Sequence, residues 1–201
     1  MSDNKGVGET PKQLTEIGAL PIPDPDMLDD DIKKYMAICE DKLGHIPNVV
    51  KVFSLRPAKL RTFIAKYNEM MLSDDSDVSR LEREMIAVVV SSVNKCYYCL
   101  TAHGAAVRQL SGNPILGEQM VMNWRVADLD ARQTAMLAFA EHLTVASAKT
   151  TEADRQALRD VGFSDRDIFD IASVTGFFNM TNRVASATEM KPNDGYHAQF
   201  R

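Results

Sequence analysis

Two cysteines and a histidine stand close together in the segment NKCYYCLTAHGAAVRQL, residues 94–110. If this segment forms a helix that starts near Lys95, Cys99 follows Cys96 by three residues and His103 follows Cys99 by four. These spacings place all three side chains on one helix face. Both sulfur atoms would lie in the first turn, where unpaired backbone N–H groups and the helix dipole favour a thiolate. The pattern therefore predicts cysteine chemistry at the start of a helix.

The chemistry that this face favours is oxidation and reduction of the cysteine pair. An imidazole one turn beyond a thiol accepts its proton, directly or through a water molecule, and this makes the cysteine nucleophilic at neutral pH. The second thiol then traps a sulfenic acid as a disulfide before further oxidation. Two other interpretations stay open. One is a metal site, although Cys96, Cys99 and His103 lack a clear fourth ligand, and the other is an ordinary helix that contains sulfur.

Glutamates in the preceding segment are candidates for orienting His103. These are Glu82 and Glu84. Along one continuous helix, Glu84 would lie about 120° around the axis from Cys96 and ~18 Å along it. It reaches the cysteines only if the chain reverses direction between them. The polar segment SSVNK, residues 91–95, tolerates such a turn, but periodicity alone does not establish it.

Most of the chain has the hydrophobic periodicity of α-helices. Besides the cysteine segment, we predict helices over residues 26–44, 57–72, 80–95, 131–148, 151–162 and 165–188. Capping boxes at Ser79–Glu82 and Asp130–Gln133 mark two of the helix starts. The valine run in 80–95 also fits a buried strand, but the cap and the length favour a helix. With no alternating strand pattern flanked by hairpin turns, the sequence predicts an all-α fold, a single-domain helical bundle over residues 27–201.

Composition and charge exclude several functional classes. The chain has 201 residues, of which 45% are hydrophobic and 25% charged, as in ordinary globular proteins. A net charge of −5 without a long basic run argues against nucleic acid as a partner. No stretch approaches the ~20 apolar residues that span a bilayer, and no secretory signal is visible. We therefore expect a cytoplasmic protein without membrane contact, where a static disulfide would be unusual.

The first 26 residues have a different character from the rest of the chain. They are polar and contain four prolines, including those of the motif PIPDPD. Each proline removes a backbone donor and restrains the residue before it, so this motif does not propagate a helix. We predict an extended N-terminal arm over residues 1–26.

The residues of the cysteine segment match a known pattern. EREMIAVVVSSVNKCYYCLTAHGAAV resembles the alkylhydroperoxidase D-like group of the carboxymuconolactone decarboxylase superfamily, and within it the peroxidase-related branch. The shared pattern is a glutamate, eleven residues and then Cys-x-x-Cys-x-x-x-His, filled here by Glu84, Cys96, Cys99 and His103. The flanking stretches LGHIPNVVKVFSLRPAKL, NWRVADLDARQTAMLAFAEHLT and FFNMTNRVASATEM are similar as well, so the resemblance covers about residues 40–190.

The resemblance implies a fold and a mechanism. The fold is all-helical, with a helical hairpin that brings Glu84 back onto the cysteines. The implied activity is reduction of hydroperoxides without haem, flavin, metal or any other cofactor. Cys99 would attack the peroxide and become a sulfenic acid, and Cys96 would be the proton donor and resolving thiol. His103 and Glu84 would relay the proton, and the product would be a Cys96–Cys99 disulfide.

The same resemblance implies partners. We expect a small hydroperoxide as substrate, organic rather than hydrogen peroxide because the surroundings are apolar. The expected reductant is a thiol or dithiol, supplied by a lipoylated or a thioredoxin-like protein. The family forms trimers or hexamers, so we expect a homo-oligomer, in which the arm of residues 1–26 would help to hold subunits together.

One residue departs from the family pattern. The best-characterised alkylhydroperoxidases have a histidine just before the second cysteine, where this chain has Tyr98. A phenol with a pKa near 10 is a poor base at neutral pH, so the change is expected to slow thiolate formation or to alter the reductant. Two rival functions therefore stand beside the peroxidase: a thiol–disulfide oxidoreductase or redox sensor that uses the same CxxC pair, and an assembly protein whose cysteines do no chemistry.

Overall fold

The computed structural model describes residues 17–201, and within this range it contains helices and no β-strand. The all-α prediction is therefore confirmed. Residues 1–16, which make up most of the predicted arm, lie outside the described residues. The helices are α1 (Asp30–Leu43), α2 (Asn48–Phe53), α3 (Pro57–Tyr67), α4 (Arg80–Val93), α5 (Tyr97–Ser111), α6 (Pro114–Asn123), α7 (Ala131–Ala146), α8 (Glu152–Asp160), α9 (Asp165–Ala187) and α10 (Gly195–Ala198).

Helix α4 lies at the centre of the bundle, packed against α5, α7 and α9. Its residues 85–90 are all almost completely buried, which is typical of a helix that is apolar on every side. The valine run is thus a buried helix and not a strand. Burial of each large aliphatic side chain here contributes about 1.5–3 kcal/mol, so the position of α4, and of Glu84 in its second turn, is strongly determined.

The capping boxes form as the sequence predicts. The Ser79 hydroxyl accepts a hydrogen bond from the Glu82 backbone, and the Glu82 carboxylate accepts one from the Ser79 backbone at 2.8 Å. Asp130 and Gln133 form the same arrangement at the start of α7. Each box satisfies backbone donors that would otherwise lack partners. Because these contacts involve only neighbouring residues, the helix starts could be predicted from the sequence.

Several helix bounds differ from the expectation. The first helix begins at Asp30 instead of residue 26, because Pro25 opens a separate 3₁₀ turn capped by the Asp24 carboxylate, and Met27 in that turn is 82% exposed. A π-helical turn, Asn68–Leu72, continues α3. The short helices α2, α6 and α10 were not predicted, because segments of this length have too little hydrophobic periodicity to identify a helix.

The described end of the predicted arm lies against the end of α9. The Ala19 backbone donates to the Thr188 carbonyl at 2.8 Å, and the Lys191 backbone donates to the Ile17 carbonyl at 2.8 Å. A Cβ atom at Gly18 would lie 2.7 Å from the Thr188 oxygen, so a side chain at this position would clash. The role of residues 1–26 in holding subunits together stays a prediction. Among residues 17–201, no helix is long and apolar enough to cross a membrane.

Candidate active site

The predicted chain reversal between Glu84 and the cysteines is present. Helix α4 ends at Val93, and Lys95 adopts a left-handed conformation with φ of 53°, which is uncommon for a residue other than glycine. The Cys96 backbone then donates to the Ser91 carbonyl at 2.9 Å. Cys96 is the N-cap residue of α5. The CxxC motif therefore stands at the start of a helix, as the sequence predicts.

The reversal brings Glu84 and His103 together. Nδ1 of His103 lies 2.6 Å from Oε2 of Glu84, and only 12% and 7% of the two side chains is exposed. An ionised carboxylate accepts hydrogen bonds and donates none, so Nδ1 of His103 is the donor to Glu84, and Nε2 is the ring nitrogen left to exchange a proton. The imidazole also makes an edge-to-face contact with Phe178, 4.7 Å between ring centroids, which further restrains its orientation.

Glu82, the other candidate for orienting His103, has a structural role. Its carboxylate caps the start of α4 and forms an ion pair with Arg132 at 3.1 Å. The Arg132 guanidinium in turn stacks on the Phe163 ring. The structure thus selects Glu84 as the partner of the histidine.

The two cysteine thiols are buried and interact with each other. Cys96 is 1% and Cys99 4% exposed, and both are free thiols. A hydrogen bond from the Cys99 thiol lowers the pKa of Cys96 to about 7, against the effect of burial; the Cys99 backbone N–H and the charge of His103 add to the lowering. The same hydrogen bond, together with burial, raises the pKa of Cys99. The dithiol therefore keeps one proton on Cys99 and favours a thiolate at Cys96.

A polar network that sequence reasoning missed lies around Cys99. Asn182 and Ser91, both fully buried, lie next to the Cys99 thiol and act to lower its pKa. The Asn182 amide donates to the Ser91 hydroxyl at 3.0 Å, and Asn94 donates to the Asn182 carbonyl oxygen at 3.0 Å. The sequence offered a weak signal for this network: one polar residue, Ser91, follows the apolar stretch of α4, and another, Asn182, lies in α9. Only the packing of these helices shows that both face the same sulfur.

Tyr98 does not take the place of the missing histidine. Its hydroxyl accepts a hydrogen bond from the Val49 backbone at 3.2 Å, at the start of α2, and interacts with the hydroxyl of Tyr196. Burial raises the pKa of Tyr98 well above its ordinary value, so the phenol stays protonated. Its hydrogen bonds thus connect α5 to α2 and the C-terminal segment instead of serving the dithiol.

A cavity of about 250 Å³ opens at Cys96, between the start of α5 and residues 185–191 at the end of α9. A larger cavity of about 520 Å³ lies between the end of α1 and residues 192–199, and none of the four predicted site residues lines it. We take the smaller cavity as the one relevant to the chemistry, because it contains a thiol of lowered pKa. Among the described residues, no three His, Cys, Asp or Glu side chains are grouped as a metal site requires.

Comparisons with known proteins agree with this geometry. The model of the carboxymuconolactone decarboxylase family matches residues 58–142. The structure of an uncharacterized peroxidase-related protein from Silicibacter sp. TM1040 is 63% identical, with a TM-score of 0.89 over 92% of this chain and 97% of that chain. An alkylhydroperoxidase AhpD core, an uncharacterized peroxidase-related protein from Ralstonia eutropha JMP134, is 40% identical with the same TM-score and coverage.

More distant similarity extends to the fold alone. The debrominase Bmp8 is 18% identical, with a TM-score of 0.73 over 89% of this chain and 93% of that chain. Among curated proteins, none is significantly similar in sequence. From the two nearer structures, the chain belongs to the carboxymuconolactone decarboxylase family, in its alkylhydroperoxidase D-like, peroxidase-related group.

Proposed function

We propose that this protein is a two-cysteine peroxidase that reduces organic hydroperoxides without a cofactor. The observation that carries the proposal is the buried Glu84–His103 hydrogen bond of 2.6 Å in the same site as a dithiol whose Cys96 has its pKa lowered to about 7. Family membership supports peroxide chemistry in general. The roles of the individual cysteines are part of the proposal.

In the first step, the Cys96 thiolate accepts the proton that Cys99 donates to it. The Cys99 sulfur then attacks the terminal peroxide oxygen, the O–O bond breaks, and the proton now on Cys96 passes to the leaving alkoxide. Cys99 is oxidised to a sulfenic acid and the peroxide is reduced to an alcohol. Asn182 favours this transfer, because its amide donates hydrogen bonds and stabilises negative charge on Cys99.

In the second step, the Cys96 thiolate attacks the Cys99 sulfur of the sulfenic acid. Hydroxide leaves, takes a proton and becomes water, and the Cys96–Cys99 disulfide forms. His103 accepted the Cys96 proton when the thiolate formed, and it now supplies this proton as an imidazolium, which the carboxylate of Glu84 stabilises and orients. Two electrons from a thiol or dithiol reductant, from a lipoylated or a thioredoxin-like protein, then restore the dithiol.

The apolar surroundings favour an organic hydroperoxide. Cys96, Tyr98 and Cys99 belong to one cluster of apolar side chains, together with buried Val52, Ala185 and Met190. Such a lining accommodates a hydrocarbon substituent better than it accommodates hydrogen peroxide, because burial of apolar surface is favourable. Exposed apolar side chains on and after α6, Ile115, Met122 and Val126, provide surface for the homo-oligomer that we also propose.

The test is a thiol titration of reduced, metal-stripped protein with one equivalent of cumene hydroperoxide, followed by peptide mass spectrometry. We expect rapid loss of two thiols and a Cys96–Cys99 linkage. Cys99→Ser should abolish the linkage, and His103→Ala should slow the thiol loss. Persistence of both thiols would contradict the proposal.

A second candidate function is thiol–disulfide exchange with a protein or small-molecule partner, or redox sensing. The observation that favours it is the lowered pKa of Cys96, because a thiol with a pKa near ambient pH is well suited to exchange. Slow oxidation by peroxide together with fast oxidation by disulfide reagents would identify this function instead.

A further inference from the structure

Three asparagine side chains form a line of hydrogen bonds that ends at the dithiol. Asn94 follows α4, and Asn179 and Asn182 lie in α9. The Asn94 amide donates to Oδ1 of Asn179 at 3.1 Å and to Oδ1 of Asn182 at 3.0 Å. The Asn182 amide donates to Oγ of Ser91 at 3.0 Å, and both of these side chains lie next to Cys99. We call Asn179, Asn94 and Asn182 the asparagine ladder.

The outer end of the ladder fixes the orientation of Asn179. Its Nδ2 donates to the Thr175 carbonyl at 3.0 Å, and its Oδ1 accepts from the Arg183 guanidinium at 2.8 Å. A carbonyl only accepts hydrogen bonds and a guanidinium only donates them. Turning the amide over would therefore break both bonds. For this reason the oxygen of Asn179 faces Asn94, and Asn94 presents its NH2 group to that oxygen.

The same polarity continues to the inner end of the ladder. Because the NH2 group of Asn94 also donates to Asn182, the oxygen of Asn182 faces Asn94 and its NH2 group faces Ser91. The Ser91 hydroxyl donates its one proton to the Ala87 carbonyl at 2.6 Å, so it accepts from Asn182 and has no proton left for the sulfur. An amide has two N–H groups, and Ser91 accepts from one of them. The other N–H of Asn182 is the donor available to Cys99.

A buried amide next to a thiol has two orientations with opposite effects. With its oxygen toward the sulfur, it accepts the thiol proton and favours the protonated cysteine, whereas with its NH2 group toward the sulfur it stabilises a thiolate. The two orientations have the same shape, so packing around the fully buried Asn182 does not select one of them. The hydrogen bonds of the ladder do, before any charge forms on Cys99. Donors that are oriented in advance stabilise a developing charge most strongly.

We propose that the asparagine ladder directs an N–H group of Asn182 at Sγ of Cys99 and so determines that this sulfur carries the negative charge when the dithiol attacks its substrate. Asn94 and Asn179 are positioning residues in this arrangement, because they act on the sulfur through Asn182. The inference rests on the proposed function, since it concerns the sulfur that reacts with peroxide there. The ladder adds no step to that reaction; it stabilises the Cys99 thiolate that forms when the proton passes to Cys96.

Cys96 has the strongest influence on Cys99, so it must be removed before the effect of the ladder is measured. The hydrogen bond to Cys96, then burial and the charge of Cys96, raise the pKa of Cys99 against the two polar side chains next to it. The other titratable groups around the dithiol are Tyr98, whose own pKa is raised by burial, and the Glu84–His103 pair. Three charged side chains line the cavity at Cys96: Lys95, Glu189 and Lys191. All of these stay the same when the neutral amides of the ladder are changed.

The test titrates Cys99 directly and uses no peroxide. The chain has three cysteines, so Cys39→Ser combined with Cys96→Ser leaves Cys99 as the one thiol. The ultraviolet absorbance of the thiolate is followed over a pH series, and a cysteine-free variant supplies the tyrosine background. We expect Asn182→Leu in this protein to raise the midpoint by at least about one pH unit, because a donor to the charged form is lost. An unchanged midpoint would overturn the proposal.

The variant Asn179→Leu tests the ladder at a distance from the sulfur. It removes the bonds to Thr175 and Arg183 that set the polarity, and we expect the Cys99 midpoint to rise by a smaller amount, about half a pH unit. Because Asn179 is half-buried, this variant tests the proposal even if Asn182→Leu does not fold. A midpoint that does not move in Asn179→Leu would show that the ladder does not orient the amide, and the proposal would be wrong.

Thr144→Val is the matched control. Nδ2 of Asn179 also donates to Oγ1 of Thr144 at 3.0 Å. The bonds to the Thr175 carbonyl and to Arg183 keep the amide in place when this hydroxyl is removed. The variant therefore disturbs the surroundings of the ladder without changing its polarity, and we expect the Cys99 midpoint to stay the same. Equal shifts in Thr144→Val and Asn179→Leu would mean that packing acts on the sulfur instead of amide orientation, which would contradict the proposal.

The proposed function and this inference fail in different ways. If cumene hydroperoxide leaves the thiols intact while the ladder variants still raise the Cys99 midpoint, the peroxidase is wrong and the ladder stands. If peroxide forms the disulfide but the midpoint does not respond to Asn182→Leu or Asn179→Leu, the peroxidase stands and the ladder is wrong.

Discussion

Cys39 and Cys96 are both buried thiols, at 7% and 1% exposure, and yet their pKa values move in opposite directions. Burial in α1 raises the pKa of Cys39, and a hydrogen bond with Tyr35 and the charge of Lys42 offset this only in part. At the start of α5, the Cys99 hydrogen bond outweighs burial and lowers the pKa of Cys96 to about 7.

Burial by itself raises the pKa of a cysteine and makes it unreactive. A reactive cysteine requires donors that bind the charged form strongly enough to exceed the cost of desolvation. The dithiol has such donors in the second thiol and a backbone N–H of the first helical turn, and the charge of His103, which pairs with Glu84, adds to their effect. The donor next to Cys39 is the phenol of Tyr35. Burial, and after it the neighbouring Cys39, raises the pKa of Tyr35 to about 12.

The largest expected effect is on peroxide turnover, and it distinguishes the dithiol from Cys39. Cys99→Ser removes the sulfur that forms the sulfenic acid, so we expect turnover of cumene hydroperoxide to fall at least ~10³-fold. The matched variant Cys39→Ser should retain turnover, because it leaves the dithiol intact. Coupled peroxidase assays on both variants check this. An equal loss of turnover in the two variants would show that the loss arises from impaired folding and not from removal of a reacting sulfur.

The next effect concerns the carboxylate that supports His103. Glu84→Gln keeps the shape of the side chain but removes its charge, and we expect the rate of thiol oxidation to fall about 10²-fold, the typical contribution of a proton relay. Glu82→Gln is the control, because Glu82 caps α4 and pairs with Arg132. The rates are measured by stopped-flow single turnover. If the Glu82 variant is as slow as the Glu84 variant, the effect arises from α4 and not from the relay.

A smaller effect is a change in the pH dependence of alkylation. Thiolates react with iodoacetamide and protonated thiols do not, so the reaction of Cys96 should rise with pH through a midpoint near 7, and that of Cys39 only above 9. Cys99→Ala removes the main donor to Cys96, and its midpoint should shift upward. Mass spectrometry of each cysteine over a pH series measures this. An unchanged midpoint in Cys99→Ala would assign the lowering to the helix terminus and His103 instead.

The smallest expected effect concerns the tyrosines at the edge of the site. Burial raises the pKa of Tyr196 to about 12, and its hydrogen bond with Tyr98 offsets this in part. Tyr98→Phe removes the acceptor of the Val49 backbone N–H and should lower the free energy of unfolding by about 1 kcal/mol, as measured by urea denaturation. The rate of peroxide reduction should stay within about twofold of the original. A much larger loss of rate would mean that the phenol acts on the dithiol.

Local sequence signals predicted a large part of the fold. Ser79–Glu82 and Asp130–Gln133 form their capping boxes as expected, because a helix start is decided by contacts among a few neighbouring residues. The start of α1 was placed too early, since the 3₁₀ turn at Pro25 competes with the helix for the same residues. Helices α2 and α6 were not predicted, because they are short and their positions depend on packing.

The shared helix face of Cys96, Cys99 and His103 follows from the order of the residues alone, because residues three and four apart are neighbours on any helix. Helical spacing left Glu82 and Glu84 both open, although the family pattern points to Glu84. The tertiary structure brings Glu84 to the histidine through the chain reversal at Lys95. Tertiary packing likewise surrounded Cys99 with Asn182 and Ser91 and left Cys96 at a cavity. Helical spacing is local information, whereas burial, pKa and access arise from segments far apart in the chain.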